Sequence, residues 1–175
     1  MKATLDDLKT RRSCRAYLPR QVEKETLEAI LDAGTYAPTG MGRMSPKLVV
    51  VQDAETIHAI SRMNAAVMGT ENDPFYGAPT VVIVFADSAI PTHVEDGSLV
   101  MGNLMNAAHA LGVDSCWIHR AKQVFQTEEG RALMNKWGLG ENYVGIGNCI
   151  LGYRAAELNP PKERKADYIV WASDA

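Results

Sequence analysis

Arg11-Arg12-Ser13-Cys14-Arg15-Ala16-Tyr17 lies near the start of this 175-residue chain, and the rest of the sequence can be organised around it. Three arginines and a serine fall within its first five residues. A guanidinium is a planar, permanently charged donor that matches a phosphate, and a serine hydroxyl adds a further donor. Such a charge run is also common on an ordinary solvated surface, so the segment alone leaves both interpretations open.

Length and composition are those of an ordinary globular protein. With 46% hydrophobic and 22% charged residues, the chain is expected to form one domain over residues 1–175 with a substantial core. The formal net charge of −3 gives no support for bulk nucleic-acid binding. Any positive site on this chain is therefore local.

The cysteines and the N-terminal residues indicate the cellular compartment in which we expect the protein. Cys14, Cys116 and Cys149 are odd in number and form no C-x-x-C pair, so neither a disulfide framework nor a structural zinc site is indicated. The N-terminal residues turn acidic too early for a signal peptide, and no apolar run is long enough to span a bilayer. We expect a cytoplasmic protein with reduced thiols and no membrane contact.

The periodicity of apolar residues predicts alternating helices and strands. The predicted helices are one capped by Thr4, one from Val22 that Pro38 stops, one capped by Asp53 and running to about Met68, one over 95–112 and one over 127–137. The predicted strands are 46–51, 78–86, 113–118, 143–151 and a tail strand over 167–171.

Several of these elements carry a more specific expectation. Leu5 and Leu8 of the first helix should face inward, and the strand 78–86 should be central because both of its faces are apolar. Gly145 and Gly147 have no side chains, so we expect another group to pack closely on the last core strand at these positions. The helix 95–112 is apolar nearly all round, which predicts a central position or a subunit contact.

The C-terminal segment cannot complete a local core by itself. Pro160 and Pro161 lead into a basic cluster, and the apolar residues 168–171 follow. We expect this tail to dock on another part of the fold or on a second subunit.

Several kinds of site find no support in the sequence. The Gly145-Ile146-Gly147 run lacks the third glycine of a dinucleotide fingerprint and falls inside a predicted strand. No P-loop occurs, the histidines have no partner at ligand spacing, and no serine has the G-x-S-x-G setting. Cys116 could be a nucleophile, but its place in a predicted strand favours a buried core residue.

Five ordered segments resemble the nitroreductase family of FMN-dependent oxidoreductases. They are residues 11–17, 37–43, 76–80, 104–112 with 115–118, and 150–153, within a match from about residue 8 to 165. The resemblance implies an α+β fold with a central, mainly antiparallel sheet flanked by helices, in a homodimer with exchanged tails. It also implies ping-pong transfer of hydride from NADH or NADPH through flavin N5 to a small electron-poor acceptor, which could be a nitroaromatic, a quinone or a flavin.

The resemblance further implies which residues of this chain bind the phosphate end of FMN. Arg11 and Ser13, with Arg12 adjoining, match positions at the phosphate and ribityl chain. Lys162 and Arg164 match a C-terminal basic pair that closes on the phosphate.

A second set of residues is implied at the flavin ring. It comprises Arg15 at N1 and O2, Pro38, Thr39, Gly40 and Met41 in a loop from the other subunit, Trp117, Ile118, His119 and Arg120 along the ring, and, as a looser match, Asn64 at the pyrimidine edge. Because hydride chemistry would belong to the cofactor, the absence of a catalytic acid, base or nucleophile from the sequence motifs is explained.

Two departures from the family pattern keep other functions open. Gly42 stands where many relatives have asparagine, Met44 stands where many have glutamine, and the chain is short for the family. One alternative is a flavin-binding or flavin-storage protein with little turnover. Another is a specialised flavoenzyme that acts on a single metabolite, such as a reductive dehalogenase or a flavin-destroying enzyme.

Overall fold

The computed structural model describes residues 3–172. Its helices are α1 (Ala3–Thr10), α2 (Lys24–Thr35), α3 (Ala54–Met68), α4 (His93–Ala110), α5 (Ala121–Val124) and α6 (Glu128–Lys136). Its strands are β1 (Pro46–Val51), β2 (Thr80–Asp87), β3 (Asp114–Ile118) and β4 (Tyr143–Gly152). The outermost residues of the predicted domain, 1, 2 and 173–175, lie outside the described residues.

The strands form one antiparallel sheet in the order β1-β2-β4-β3. β2 lies inside the sheet, and its residues from Thr80 to Ala86 are all buried, which confirms the predicted central strand. The β2–β4 register shifts between Val84 and Phe85, where a bulge interrupts the ladder. The α+β architecture with an antiparallel sheet flanked by helices is therefore confirmed.

Apolar residues on both faces of the sheet form two core clusters. On one face, Val82 and Val84 pack with Leu104 of α4 and Ile30 of α2. On the other face, Phe85 meets Phe125 edge to face, with ring centroids 4.8 Å apart, and residues of α3 and α6 complete the cluster. Because both faces are covered, a continuous apolar run is what β2 requires.

Local capping signals fix the helix boundaries on the second face. The Asp53 carboxylate accepts from the backbone N–H of Thr56 at 2.9 Å, and α3 ends at Gly69, whose φ of +67° suits glycine. The Thr127 hydroxyl accepts from the N–H of Gly130 at 3.1 Å and caps α6. The predicted N-cap at Asp53 is confirmed, whereas the cap at Thr127 was not predicted.

The predicted close packing at the glycines of β4 is also confirmed. A Cβ on Gly145 would lie 2.7 Å from the carbonyl oxygen of Ala121, and one on Gly147 would overlap the indole of Trp117. These two glycines let α5 and the Trp117 side chain approach the strand.

The first helix differs from its prediction in two ways. Thr4 lies inside α1 and does not precede it as a cap. Leu5 and Leu8 are 47% and 53% exposed, so the expectation that they face inward is wrong for the single chain. α1 is joined to α4 by a 2.8 Å hydrogen bond between Thr10 Oγ1 and His109 Nε2.

The tail also differs from its prediction. Within the described chain, residues 167–171 form no strand, and Ile169 and Trp171 are 69% and 86% exposed. The tail therefore does not dock on its own chain's core.

The short helix α5 was not predicted either, because four residues carry too little periodicity to be recognised. Over residues 3–172, no helix is both long and apolar enough to cross a membrane.

Candidate functional site

Basic groups from opposite ends of the chain meet in one cleft of about 730 Å³. Its N-terminal wall consists of Leu8, Lys9, Arg11, Arg12, Ser13 and Arg15. Its C-terminal wall consists of Asn159, Pro160, Pro161, Lys162 and Arg164. All six residues predicted at the phosphate and at N1 from these two segments therefore lie in the same cleft.

The N-terminal wall is fixed to the edge of the sheet. Ser13 forms a parallel bridge with Ser115 of β3, and the N–H of Cys14 donates to the Ser115 carbonyl at 3.0 Å. Farther along, Tyr17 pairs with Arg154, and its buried hydroxyl donates to the Cys14 carbonyl at 3.1 Å. Burial raises the pKa of Tyr17 well above its usual value, so this donor keeps its proton. The N-terminal wall of the cleft is therefore hydrogen-bonded to β3.

The arginines of this wall carry buried donors that lack partners. Arg12 Nη1 donates to the carbonyls of Lys9 and Arg11, both at 2.7 Å, which turns its guanidinium toward the backbone. Arg11 Nη1 and Arg12 Nε are buried and find no hydrogen-bond partner within residues 3–172. Buried donors are nearly always paired in folded proteins, so these two require an acceptor from outside the described chain. An anion in the cleft would supply it.

The C-terminal wall is held by its own backbone. Arg164 donates from Nε and Nη2 to the carbonyl of Lys162 at 3.2 and 2.9 Å. Over residues 3–172, no carboxylate forms an ion pair with any of four basic residues of the cleft: Arg11, Arg12, Lys162 and Arg164. Within the described residues, no ion pair with an acidic side chain therefore neutralises the positive charges of these four residues.

The segment predicted to lie along the ring continues from the same strand. β3 runs from Ser115, beside Ser13, through Trp117 and Ile118. The Trp117 Nε1 is buried and has no hydrogen-bond partner within residues 3–172, Ile118 belongs to the core, and His119 is exposed. None of these residues lines the basic cleft itself.

Arg120 ends this segment in an unusual conformation. Its φ is +78°, in the left-handed region where a residue with a side chain is uncommon. Backbone strain of this kind persists only where the surroundings impose it and often marks functional sites. Arg120 also precedes α5, so the turn directs the chain away from the sheet edge at this point.

The Pro38-Thr39-Gly40-Met41 loop lies outside the cleft of its own chain. Met41 and Met44 are 81% and 78% exposed. The expectation that this loop reaches a flavin of the other subunit stays a prediction.

Asn64 lies in the core between α3 and the sheet. It has no exposed surface, and its Nδ2 donates to the Ile60 carbonyl at 3.4 Å. Its Oδ1 is buried and has no hydrogen-bond partner within residues 3–172. The expectation that Asn64 bonds the pyrimidine edge of a flavin stays a prediction.

Asp96 is a buried charged residue that was not predicted. It is 2% exposed, in the first turn of α4, and accepts from the Gly40 N–H and the Ser45 hydroxyl. Burial alone would raise the pKa of Asp96, but hydrogen bonds from Ser45, Gly40 and Thr92 outweigh it and lower the pKa. An acid in a first helical turn is common on surfaces, so no sequence signal distinguished Asp96 from its neighbour.

Other cleft residues were also missed, although a signal was present. Leu8, Lys9, Asn159, Pro160 and Pro161 line the cleft beside the predicted groups. Each is next to a predicted basic residue or within a few positions of one, so neighbourhood in the sequence could have identified them.

The thiols take no part in this cleft. Cys14, Cys116 and Cys149 are buried and free, which confirms Cys116 as a core residue. Burial raises the pKa of Cys149 to about 12, although the Arg11 cation acts in the opposite direction. In the described part of the chain, no group of three or more His, Cys, Asp or Glu side chains could hold a metal ion.

Known proteins are similar to this chain in sequence and fold over most of its length. The family model described as Nitroreductase family matches residues 8–153. The chain belongs to the nitroreductase family. An Archaeoglobus fulgidus relative with the provisional name NADH dehydrogenase/NAD(P)H nitroreductase is 31% identical over 174 residues, covering 96% of this chain and 91% of that protein.

Solved nitroreductases have the same architecture. A nitroreductase from Bacteroides fragilis, determined with bound FMN, superposes with a TM-score of 0.90 at 30% identity, covering 99% of this chain and 100% of that one. A second, from Desulfitobacterium hafniense, has a TM-score of 0.89 at 24% identity and the same coverage of both chains. These similarities confirm the nitroreductase-like fold predicted from the five sequence segments.

Proposed function

We propose that this nitroreductase is an FMN-dependent oxidoreductase that passes hydride from NADH or NADPH to a small electron-poor acceptor by a ping-pong mechanism. The acceptor would be a nitroaromatic, a quinone or a flavin. The observation that carries the proposal is the basic cleft, where buried arginine donors that have no partner within residues 3–172 share one cavity with a second basic group. The similarity to the FMN-bound Bacteroides fragilis protein supports the same cofactor.

The residues of the cleft fit the phosphate of FMN. A phosphate monoester carries about −1.5 to −2 charges at neutral pH, and its oxygens accept several hydrogen bonds. We assign Arg11, Arg12 and Ser13 to one side of it and Lys162 and Arg164 to the other. Each hydrogen bond to a charged group contributes about 1.5–3 kcal/mol, so even two or three of them would hold the nucleotide firmly.

Arg15 and the end of β3 are assigned to the flavin ring. Arg15 lines the cleft, so its cation could stand beside N1 and O2 and favour negative charge there. Trp117, Ile118, His119 and Arg120 continue the strand that borders the cleft. When bound, FMN supplies hydride transfer at N5, and the protein binds and orients the reactants.

We also propose a homodimer with exchanged tails. In the described chain, β1 pairs only with β2, and Val50 of this free edge is 40% exposed. The leucines of α1 and the apolar residues 168–171 are exposed as well. Exposed apolar surface of this extent is typical of an interface, and a partner's tail would cover it. Pro38, Thr39, Gly40 and Met41 would then approach the partner's FMN.

The proposal is tested by the purified protein itself. It should be yellow, release FMN on heating, and bleach on anaerobic titration with NADH or NADPH. A panel of quinones, nitroaromatics and free flavins then identifies the acceptor. Recovery of FAD, or no flavin binding even in excess FMN, would reject the cofactor assignment.

A flavin-binding or flavin-storage protein remains the second candidate. Met44 is exposed and offers no strong hydrogen-bond donor or acceptor where many relatives have glutamine, and Gly42 removes another polar group. This function predicts tight FMN binding with negligible steady-state oxidation of NADH or NADPH in the presence of a quinone. The free thiols agree with a reducing, cytoplasmic location in either case.

A further inference from the structure

The loop of residues 39–45 is anchored at both ends by one carboxylate. The backbone N–H of Gly40 donates to Asp96 Oδ1 at 2.9 Å, and the Ser45 hydroxyl donates to Asp96 Oδ2 at 2.6 Å. Asp96 is 2% exposed and Ser45 is 3% exposed. A buried carboxylate is costly unless its oxygens receive hydrogen bonds, so Asp96 of α4 needs the donors that the loop supplies. The same two hydrogen bonds hold the loop in place beside α4.

Two further contacts tie the loop to its surroundings. The Ser45 carbonyl accepts from the N–H of Asp87 at 3.0 Å, which joins the end of the loop to the sheet. Gly40 packs so closely on Thr92 that a Cβ at this position would overlap the threonine hydroxyl. The start of the loop is thereby held against the N-terminus of α4.

Between the two anchors the backbone has an unusual shape. The φ angles of Met41, Gly42 and Met44 are +52°, +66° and +50°. Two of these residues have side chains, for which the left-handed region is unfavourable. The turn is closed by the Gly42 N–H on the Thr39 carbonyl at 3.0 Å and by the Met44 N–H on the Thr39 hydroxyl at 3.1 Å. Such a conformation persists only where its surroundings determine it.

The side chains that this turn projects are apolar. Met41 and Met44 are among the most exposed apolar residues of the chain, and Arg43 between them is exposed too. Thioethers make favourable contacts with aromatic rings and adapt to their shape. The turn thus presents two adaptable apolar groups on a backbone that is rigidly anchored.

We propose that Asp96 is a positioning residue for the electron-acceptor site, acting through Gly40 and Ser45 to set where Met41 and Met44 contact a flat aromatic acceptor. This inference rests on the proposed function, because it takes the loop to stand beside the partner's FMN. Asp96 itself touches neither cofactor nor acceptor. Its effect reaches the acceptor site only through the loop that it anchors.

The anchoring is tested first by limited proteolysis, which does not depend on activity. Trypsin cleaves after Arg43, at the centre of the projecting turn. Loss of two hydrogen bonds to a carboxylate should speed this cleavage about tenfold or more in Asp96→Ala, and less in Ser45→Ala, which loses one. Asp96→Asn keeps an oxygen acceptor and should recover part of the protection. Glu95→Gln, an exposed acid on the same helical turn, is the matched control.

The role at the acceptor site is tested by separating the two half-reactions of the FMN-loaded enzyme. The KM for 1,4-naphthoquinone should rise about tenfold in Asp96→Ala and less in Asp96→Asn. The rate of flavin bleaching by NADH or NADPH should match that of Glu95→Gln. Any loss of FMN affinity should be smaller than the rise in this KM, because the basic cleft that would hold the phosphate does not include Asp96. A purely structural defect would instead slow both half-reactions or release FMN.

The inference would be overturned by either of two further results. Equal trypsin cleavage in Asp96→Ala and Glu95→Gln would show that the carboxylate does not hold the turn. Faster cleavage with an unchanged naphthoquinone KM would show that the turn does not serve the acceptor. If Asp96→Ala fails to fold, the same comparisons are made with Ser45→Ala and Asp96→Asn. A wild type that binds no FMN would reject the proposed function, whereas the proteolysis would still decide the anchoring.

Discussion

Replacing Arg11 by methionine should have opposite effects on the stability of the FMN-free protein and on FMN affinity. Arg11 Nη1 is buried and has no hydrogen-bond partner within residues 3–172. A buried donor without a partner costs about 1–3 kcal/mol of folding free energy. Arg11→Met keeps the apolar stem and removes the donor, so the FMN-free variant should be more stable by up to that amount.

FMN affinity should change in the other direction. If the Arg11 donor pairs with the phosphate, the variant loses a hydrogen bond between charged groups that is worth about 1.5–3 kcal/mol. This loss corresponds to a dissociation constant about 10-fold to 150-fold higher. Riboflavin has no phosphate, so its affinity should be nearly equal in variant and wild type.

The measurements are thermal unfolding of the FMN-free proteins and fluorescence titration with FMN and riboflavin. One kcal/mol corresponds to roughly 2–4 °C in Tm for a chain of this size, so the stabilisation is measurable. Arg131→Met, at an exposed arginine on α6, is the matched control and should leave FMN affinity unchanged. A lower Tm for FMN-free Arg11→Met with unchanged FMN affinity would refute the reasoning. Equal losses for FMN and riboflavin would show that Arg11 does not act on the phosphate.

Three further predictions concern the ring, the tail and the sheet. Arg15→Gln should lower the midpoint potential of bound FMN by some tens of millivolts, since about 30 mV corresponds to 1.4 kcal/mol for a two-electron couple. Redox titration against a reference dye measures it, and an unchanged potential with much weaker FMN binding would place Arg15 at the phosphate instead. Removal of residues from Asp167 onward should weaken the dimer in sedimentation experiments, and a truncated protein that is equally dimeric and heat-stable would contradict the exchanged tail. Gly145→Ala should lower the free energy of unfolding by about 1–3 kcal/mol in urea titration, because its Cβ would lie 2.7 Å from the Ala121 carbonyl oxygen. A denaturation midpoint equal to that of the wild type would show that α5 can move aside.

Elements with strong local signals were predictable from the sequence. β1 begins at Pro46 and ends at Val51 as predicted, and Asp53 caps α3 because its carboxylate is within reach of the next turn's N–H groups. The central place of β2 followed from apolar residues at successive positions, which only a strand covered on both faces can bury.

The direction that an amphipathic helix faces was not predictable in the same way. Leu5 and Leu8 have the spacing of a buried stripe, but the same stripe can face a core or a second subunit. The tail residues Ile169 and Trp171 present the same ambiguity. A pattern of apolar residues specifies that surface will be covered, and not which molecule covers it.

The candidate site was predictable only through resemblance. Nothing in the spacing of Arg11 and Arg164 shows that they share a cleft, because that contact depends on how both ends of the chain pass the edge of β3. The resemblance also placed Asn64 at the ring, which stays a prediction, since the structure shows only that Asn64 is buried. Asp96 was missed because its importance comes from burial, which its sequence neighbours do not reveal.

The central place of β2 has a consequence during synthesis. β2 needs β4 as a neighbour, but β4 spans Tyr143–Gly152 and is the last strand to leave the ribosome. Translation proceeds at roughly 5–20 residues per second, so the apolar segment from Val81 to Ala86 stays unpaired with β4 for several seconds. During that time it is a short, uncharged, β-prone segment of the kind that self-associates. The nascent chain should therefore bind a holding chaperone at this segment, and slower translation between β2 and β4 should prolong that dependence.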